Sequence, residues 1–94
     1  MEFKIKKILK PKAHHIKSFM AVGSSGLTKN FINEVSSNLT SHELLKIKIS
    51  SDTKSEKIKI AEQIAELTKS ELIQIIGNQA TFFKLNPEKN KYNI

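Results

Sequence analysis

The alternation of apolar and polar residues divides the chain into seven short elements. Counted from Ile5 at about 100° per residue, Ile5, Ile8, Leu9, Ala13 and Ile16 fall in one arc, with Lys6, Lys7, Lys10, His14 and Lys17 roughly opposite. This predicts an amphipathic first helix with a cationic outer face. Two residues interrupt the pattern. Pro11 lacks the N–H that a helix interior needs, at a cost of about 3 kcal/mol, and Lys12 falls on the apolar side. The helix therefore kinks at Pro11 or begins near it, and the alternation from Phe3 to Lys6 also permits a short extended start.

Ser18 to Val22 is a short apolar run punctuated by Gly23, as expected of a buried strand. After Gly23-Ser24-Ser25-Gly26, Thr28 is placed to cap a helix through about Leu39, with Phe31, Ile32, Val35 and Leu39 at helical spacing. Leu45 to Ile49 alternates strictly, predicting a strand with one buried face and Lys46 and Lys48 on the other. Thr53 and Glu56 match the capping-box spacing and open a helix to about Thr68, with Ile58, Ala61, Ile64, Ala65 and Leu67 inward or near it. Glu71–Ile76 and Ala80–Leu85 read as strands of a hairpin turning at Gly77-Asn78. Pro87 and the polar residues after it read as a fraying tail. The expected fold is an α+β domain of order α-β-α-β-α-β-β over residues 1–87, a two-layer arrangement with helices against one mixed four-stranded sheet, followed by a tail over 88–94.

Charge changes the picture next. Among 94 residues there are 16 lysines, nine acids and no arginine, for a net charge of +7. Residues 1–29 carry seven lysines against Glu2 alone, whereas 30–70 balance to zero and 71–94 contribute one net positive charge. The excess therefore lies around the glycine loop, and it points to a polyanion. Arginine is the usual bidentate reader of guanine edges, while lysine acts as a point charge on phosphate, so gripping a backbone suits this composition better than reading bases.

The absence of cysteine excludes disulfides, thiolate metal sites and cysteine nucleophiles. Apolar runs are far shorter than the roughly 20 residues that span a bilayer, and the N-terminus lacks a signal-peptide core, so a cytoplasmic protein is expected. His14, His15 and His42 are the only imidazoles and lack metal-ligand spacing. Ser24 and Ser25 have neither a nucleophile elbow nor a base, and Glu62 and Glu66 match a solvated helix face. No catalytic residue, metal or cofactor is expected. Phe82 and Phe83 must face opposite sides of the sheet: one belongs to the core, and the other either stacks on a base or lies under a helix. Gly23-x-x-Gly26 between strand and helix is either a simple turn or a loop whose bare backbone approaches an anion.

Four runs in order, Ala13-His14-His15-Ile16-Lys17, Val22-Gly23-Ser24-Ser25-Gly26-Leu27-Thr28, His42-Glu43-Leu44-Leu45-Lys46-Ile47-Lys48-Ile49 and Ile75-Ile76-Gly77, resemble the CRM (chloroplast RNA splicing and ribosome maturation) domain in its bacterial YhbY-like form. The resemblance covers about residues 5–87. It implies a fold similar to the C-terminal domain of translation initiation factor three and non-catalytic RNA binding through a KH-like GxxG loop. For bacterial members it implies ribosome biogenesis on precursors of the large ribosomal subunit. Carried onto this chain, Gly23, Ser24, Ser25 and Gly26 form the RNA loop, and Lys17, Lys29, Lys46 and Lys48 are candidates for the basic surface, joined by Lys10 and Lys12 of the first helix. The chain departs from the family pattern at Ser24-Ser25, where a lysine is common, at Pro11, at Ser18, and at Phe83-Lys84-Leu85. The expected partner is ribosomal RNA bound by a monomer. The alternative is a protein-interaction or membrane-surface module acting through the lysine-rich first helix.

Overall fold

A computed structural model describes residues 3–16, 20–23 and 26–92. The elements are α1 (Phe3–Ala13), β1 (Met20–Ala21), α2 (Lys29–His42), β2 (Leu44–Lys48), α3 (Lys54–Thr68), β3 (Glu71–Ile76) and β4 (Gln79–Phe83), in the expected order. Thr28 caps α2 by accepting the Phe31 N–H at 3.1 Å, and Thr53 caps α3 by accepting the Glu56 N–H at 3.1 Å. The Glu56 carboxylate does not close the box onto Thr53; it accepts from the Ser51 hydroxyl instead.

The sheet order is β1-β2-β4-β3. β1 and β2 are parallel, joined through α2, while β4 runs antiparallel to both its neighbours. Gly77, at φ +57, makes the tight β3–β4 turn possible, since few other residues adopt the left-handed region without cost. A bulge between Leu72 and Gln74 places both Ile73 and Gln74 on one side of β3 across from Thr81.

Alternation along the strands sorts side chains between two cores. Leu45, Ile47, Ile49, Ala80 and Phe82 pack with Val35 and Leu39 of α2 and Ala61 and Ile64 of α3. On the opposite face Leu44, Ile73 and Phe83 pack beneath Leu9, with Ile5, Ile16 and Tyr92 around them. To the sheet and the α2/α3 layer, α1 thus adds a partial third layer. Phe82 and Phe83 are both fully covered, Phe83 under α1 in edge-to-face contact with Tyr92 at 6.3 Å, so neither is a stacking platform.

Three local expectations need correction. α1 does not begin at Pro11 but runs through it and ends two residues later at Ala13; the chain then tightens through His14→Pro11, His15→Lys12 and Ile16→Ala13 N–H to carbonyl bonds of 3.2–3.3 Å. Ile8, Ile58 and Leu67 are exposed, since each falls at the margin of a stripe centred on Leu9 and Ala13 in α1 or on Ala61, Ile64 and Thr68 in α3. The segment from Asn86 does not fray as far as Tyr92. The fully buried Glu43 carboxylate accepts the N–H groups of Asn86 at 3.0 Å and Lys91 at 2.6 Å, and Lys12 lies 5.9 Å over the Tyr92 ring. That contact also explains a lysine near the apolar side of α1.

Candidate nucleic-acid interface

The strand registers arrange the α1 side of the sheet in rows. Ala21, Lys48, Gln79 and Ile76 lie side by side at the end of the sheet where β1 leads into the glycine loop, and the Val22 N–H donates to the Lys48 carbonyl at 2.9 Å. Lys46, Thr81 and Gln74 form the next row. Leu44, Phe83 and Ile73 lie in the hydrophobic row beneath α1. Only that last row is fully covered. α1 stops short of the loop end, leaving Lys48, Gln79 and Ile76 exposed and Lys46 and Gln74 half-buried.

The glycine loop begins at this open end. The Gly26 N–H donates to the Gly23 carbonyl at 3.0 Å. The two glycines have different reasons for being glycine. Gly26 sits at φ +75, where a side chain is strained, so its own backbone conformation favours glycine. Gly23 is exposed, has no such backbone demand, and a Cβ built on it would meet nothing within 4 Å. The fold therefore does not select glycine at position 23, whereas close approach of another molecule's backbone would.

α2 starts immediately after the loop. Its first turn holds no acid, unlike that of α3, and instead presents Lys29. A lysine at a helix N-terminus opposes the helix dipole by about 0.3–1 kcal/mol, so charge is concentrated here at some cost to the helix. The Lys29 and Asn30 N–H groups have no intrahelical acceptor. Thus Gly23 lies at the Lys48 end of the sheet, with Lys46 one row in, and Gly26 and Lys29 follow it at the start of α2.

The remaining expected residues divide differently. Lys10 is half-buried and Lys12 exposed, both in the last turn of α1, where cations complement the helix C-terminus, and Lys12 is engaged with Tyr92. Lys10 stands one turn before Ala13 and His14, the end of α1 that faces the open rows. Lys17, Ser24 and Ser25 lie outside the described residues. Among the described residues no three His, Asp or Glu side chains come together as a metal site, and no helix is long and apolar enough to cross a membrane.

Gln74, Thr81 and Gln79 belong to this face but were not singled out from the sequence. Their period-two placement, in phase with Lys46 and Lys48, was the available signal; the bulge that sets Gln74 opposite Thr81 leaves no mark in it. Glu43 was also missed, because a glutamate at a helix end reads as surface.

A family model described as the CRS1 / YhbY (CRM) domain matches residues 1–84. Among related proteins, the Probable RNA-binding protein YqeI of Bacillus subtilis is 30% identical over 91 residues, covering 97% of this chain and 95% of that protein. The Probable RNA-binding protein PA4753 of Pseudomonas aeruginosa is 31% identical over 86 residues, covering 92% and 83%. The solution structure of the hypothetical protein SAV1595 from Staphylococcus aureus superposes with a TM-score of 0.85 at 28% identity, covering 97% of this chain and 95% of that one.

Proposed function

Because the chain belongs to the CRS1 / YhbY (CRM) domain family, we propose that it is a non-catalytic RNA-binding protein that grips the RNA backbone with its glycine loop and the lysines beside it. The observation that carries this reading is Gly23: exposed, free of steric or backbone reasons to be glycine, next to the Lys48 end of β2 and six residues before Lys29, which opens α2. A bare backbone lets a phosphodiester come close enough for N–H groups to donate, and the lysines neutralise its charge. The RNA-binding names of the relatives over almost the whole chain support the choice of RNA among polyanions.

The finer reading is that the bound species is ribosomal RNA in precursors of the large subunit, met in the cytoplasm by a monomeric assembly factor. It rests on the family's character together with the lysine-only chemistry, which favours shape and backbone over a long sequence motif. Crosslinking in cells followed by sequencing of the bound RNA tests it. Reads concentrated on large-subunit precursor RNA are the expected result, and a diffuse messenger or transfer RNA profile refutes the ribosomal assignment.

A further inference from the structure

Between the end of α1 and the open half of the sheet lies a groove of about 240 Å³. Its floor is lined by Lys46 and Thr81 from the middle row, with Gln74 beside them and Gln79 towards the loop. Ile76, 57% exposed, forms an apolar margin, and His14, just after the end of α1, also lines the groove. Backbone grip explains Lys48 and Lys29 but does not explain this floor.

Thr81 is the informative residue. Three polar or charged residues are buried among the described ones: Glu43, Thr68 and Thr81. Glu43 accepts two backbone N–H groups, and the Thr68 hydroxyl donates to the Ile64 carbonyl at 2.7 Å and meets Ser70 at 2.8 Å. Thr81 is only 2% exposed and lines the groove, yet its hydroxyl meets no hydrogen-bond partner among the described residues. Buried polar groups are almost always satisfied, so this hydroxyl, in a residue that lines an open groove, is met by water or by the polar atom of a ligand that displaces it.

The mixture of groups selects the ligand class. A phosphate offers acceptors alone, whereas two glutamine amides and a threonine hydroxyl supply acceptors as well as donors, matching the edge of a heteroaromatic base. The volume is below the ~300–1,000 Å³ of drug-sized sites, so it suits one ring system, with Ile76 and His14 offering faces to pack against. Lys46 can only donate, so it favours an exocyclic oxygen at the 4- or 6-position, as in uracil and guanine, over the amino group that cytosine and adenine carry there. We propose that this groove binds one unpaired keto-bearing base, guanine or uracil, of the RNA whose backbone is held at the loop. The proposal rests on the RNA-binding reading and adds base selectivity to it.

The test uses the full chain and four octanucleotides: octauridylate, an alternating uridine–guanosine octamer, octaadenylate and octacytidylate, followed by fluorescence anisotropy at matched salt. The first two are expected to bind about tenfold more tightly than the last two. The double variant Thr81→Val with Gln74→Leu reduces this to within about twofold, with the salt dependence of binding unchanged because no phosphate contact is lost. Thr81→Val alone removes a hydroxyl that has no partner, so its melting temperature is not lowered. As a check independent of variant folding, guanosine and uridine nucleosides shift the backbone amide resonances of Lys46, Gln74 and Thr81 in the wild-type protein. Equal affinity for all four octamers, a preference for adenine or cytosine, or a preference that survives in the folded double variant overturns the groove assignment alone. Failure to bind any RNA, ribosomal fragments included, overturns the RNA-binding reading and the groove with it.

Discussion

Gly23 and Gly26 lie in one loop, yet the fold constrains only one of them, so substitution separates the loop's structural and binding roles. At Gly23 a Cβ meets nothing within 4 Å and the backbone is outside the left-handed region. Gly23→Val therefore leaves stability within about 0.5 kcal/mol of wild type, with the smaller entropy of the unfolded chain tending to raise it. At Gly26, φ is +75, and Gly26→Val costs about 1–2 kcal/mol from backbone strain in the folded state. Binding follows a different order. If phosphate comes within hydrogen-bond distance of the loop backbone, an isopropyl group at Gly23 disrupts at least one charge-assisted contact worth about 1.5–3 kcal/mol, which is tenfold or more in Kd. Urea denaturation gives the first quantity, and anisotropy against a large-subunit ribosomal RNA fragment gives the second. The variant with the smaller effect on stability is thus expected to bind poorly. Wild-type affinity in folded Gly23→Val would refute the argument that close approach explains this glycine.

Three further perturbations bear on the account. Lys29→Gln and Lys48→Gln each lower the slope of log binding constant against log salt by about 0.7–0.9, and an unchanged slope in the double variant removes these lysines from the interface. Glu43→Ala deprives the Asn86 and Lys91 N–H groups of a buried acceptor; it is expected to cost about 2–4 kcal/mol in denaturant melts and to abolish exchange protection at Lys91, whereas wild-type protection there would show that the carboxylate does not hold the segment. Burial, and secondarily the Glu43 charge, raise the Tyr92 phenol above its ordinary value of 10.0. The folded protein then holds this proton when the unfolded chain has lost it, so the contribution of Tyr92 to stability is full below pH 10 and falls as pH rises from there through the folded value. Absorbance titration should place the midpoint above 10, and Tyr92→Phe should remove this part of the alkaline loss measured against wild type.

The elements legible from sequence were those whose signals are local. Thr28 and Thr53 cap their helices where their spacing indicated, and strict alternation over residues 45–49 identified the face of β2 that packs on α2 and α3, while the burial of Leu44 on the other face depends on Leu9 of α1. What escaped depended on contacts between distant segments. Asn86 and Lys91 are anchored by Glu43, 48 residues before Lys91, and no local pattern marks a glutamate as the acceptor for a returning chain. Phe83 was ambiguous because its cover comes from Leu9 of α1 and from Tyr92. At the candidate site, the glycines and Lys46 and Lys48 could be named from motif and charge. The groove could not, because it requires the β4 position between β2 and β3, the bulge at Gln74 and the point at which α1 ends.

The central claim is that RNA lies against the loop end of the sheet. Ultraviolet crosslinking of the purified protein to large-subunit ribosomal RNA, with mass-spectrometric identification of the crosslinked peptides, tests it most directly. Adducts are expected in peptides containing residues 22–29 and 46–48. Adducts confined to the exposed face of α3, or to the first turns of α1 around Lys4 and Lys7, would contradict it.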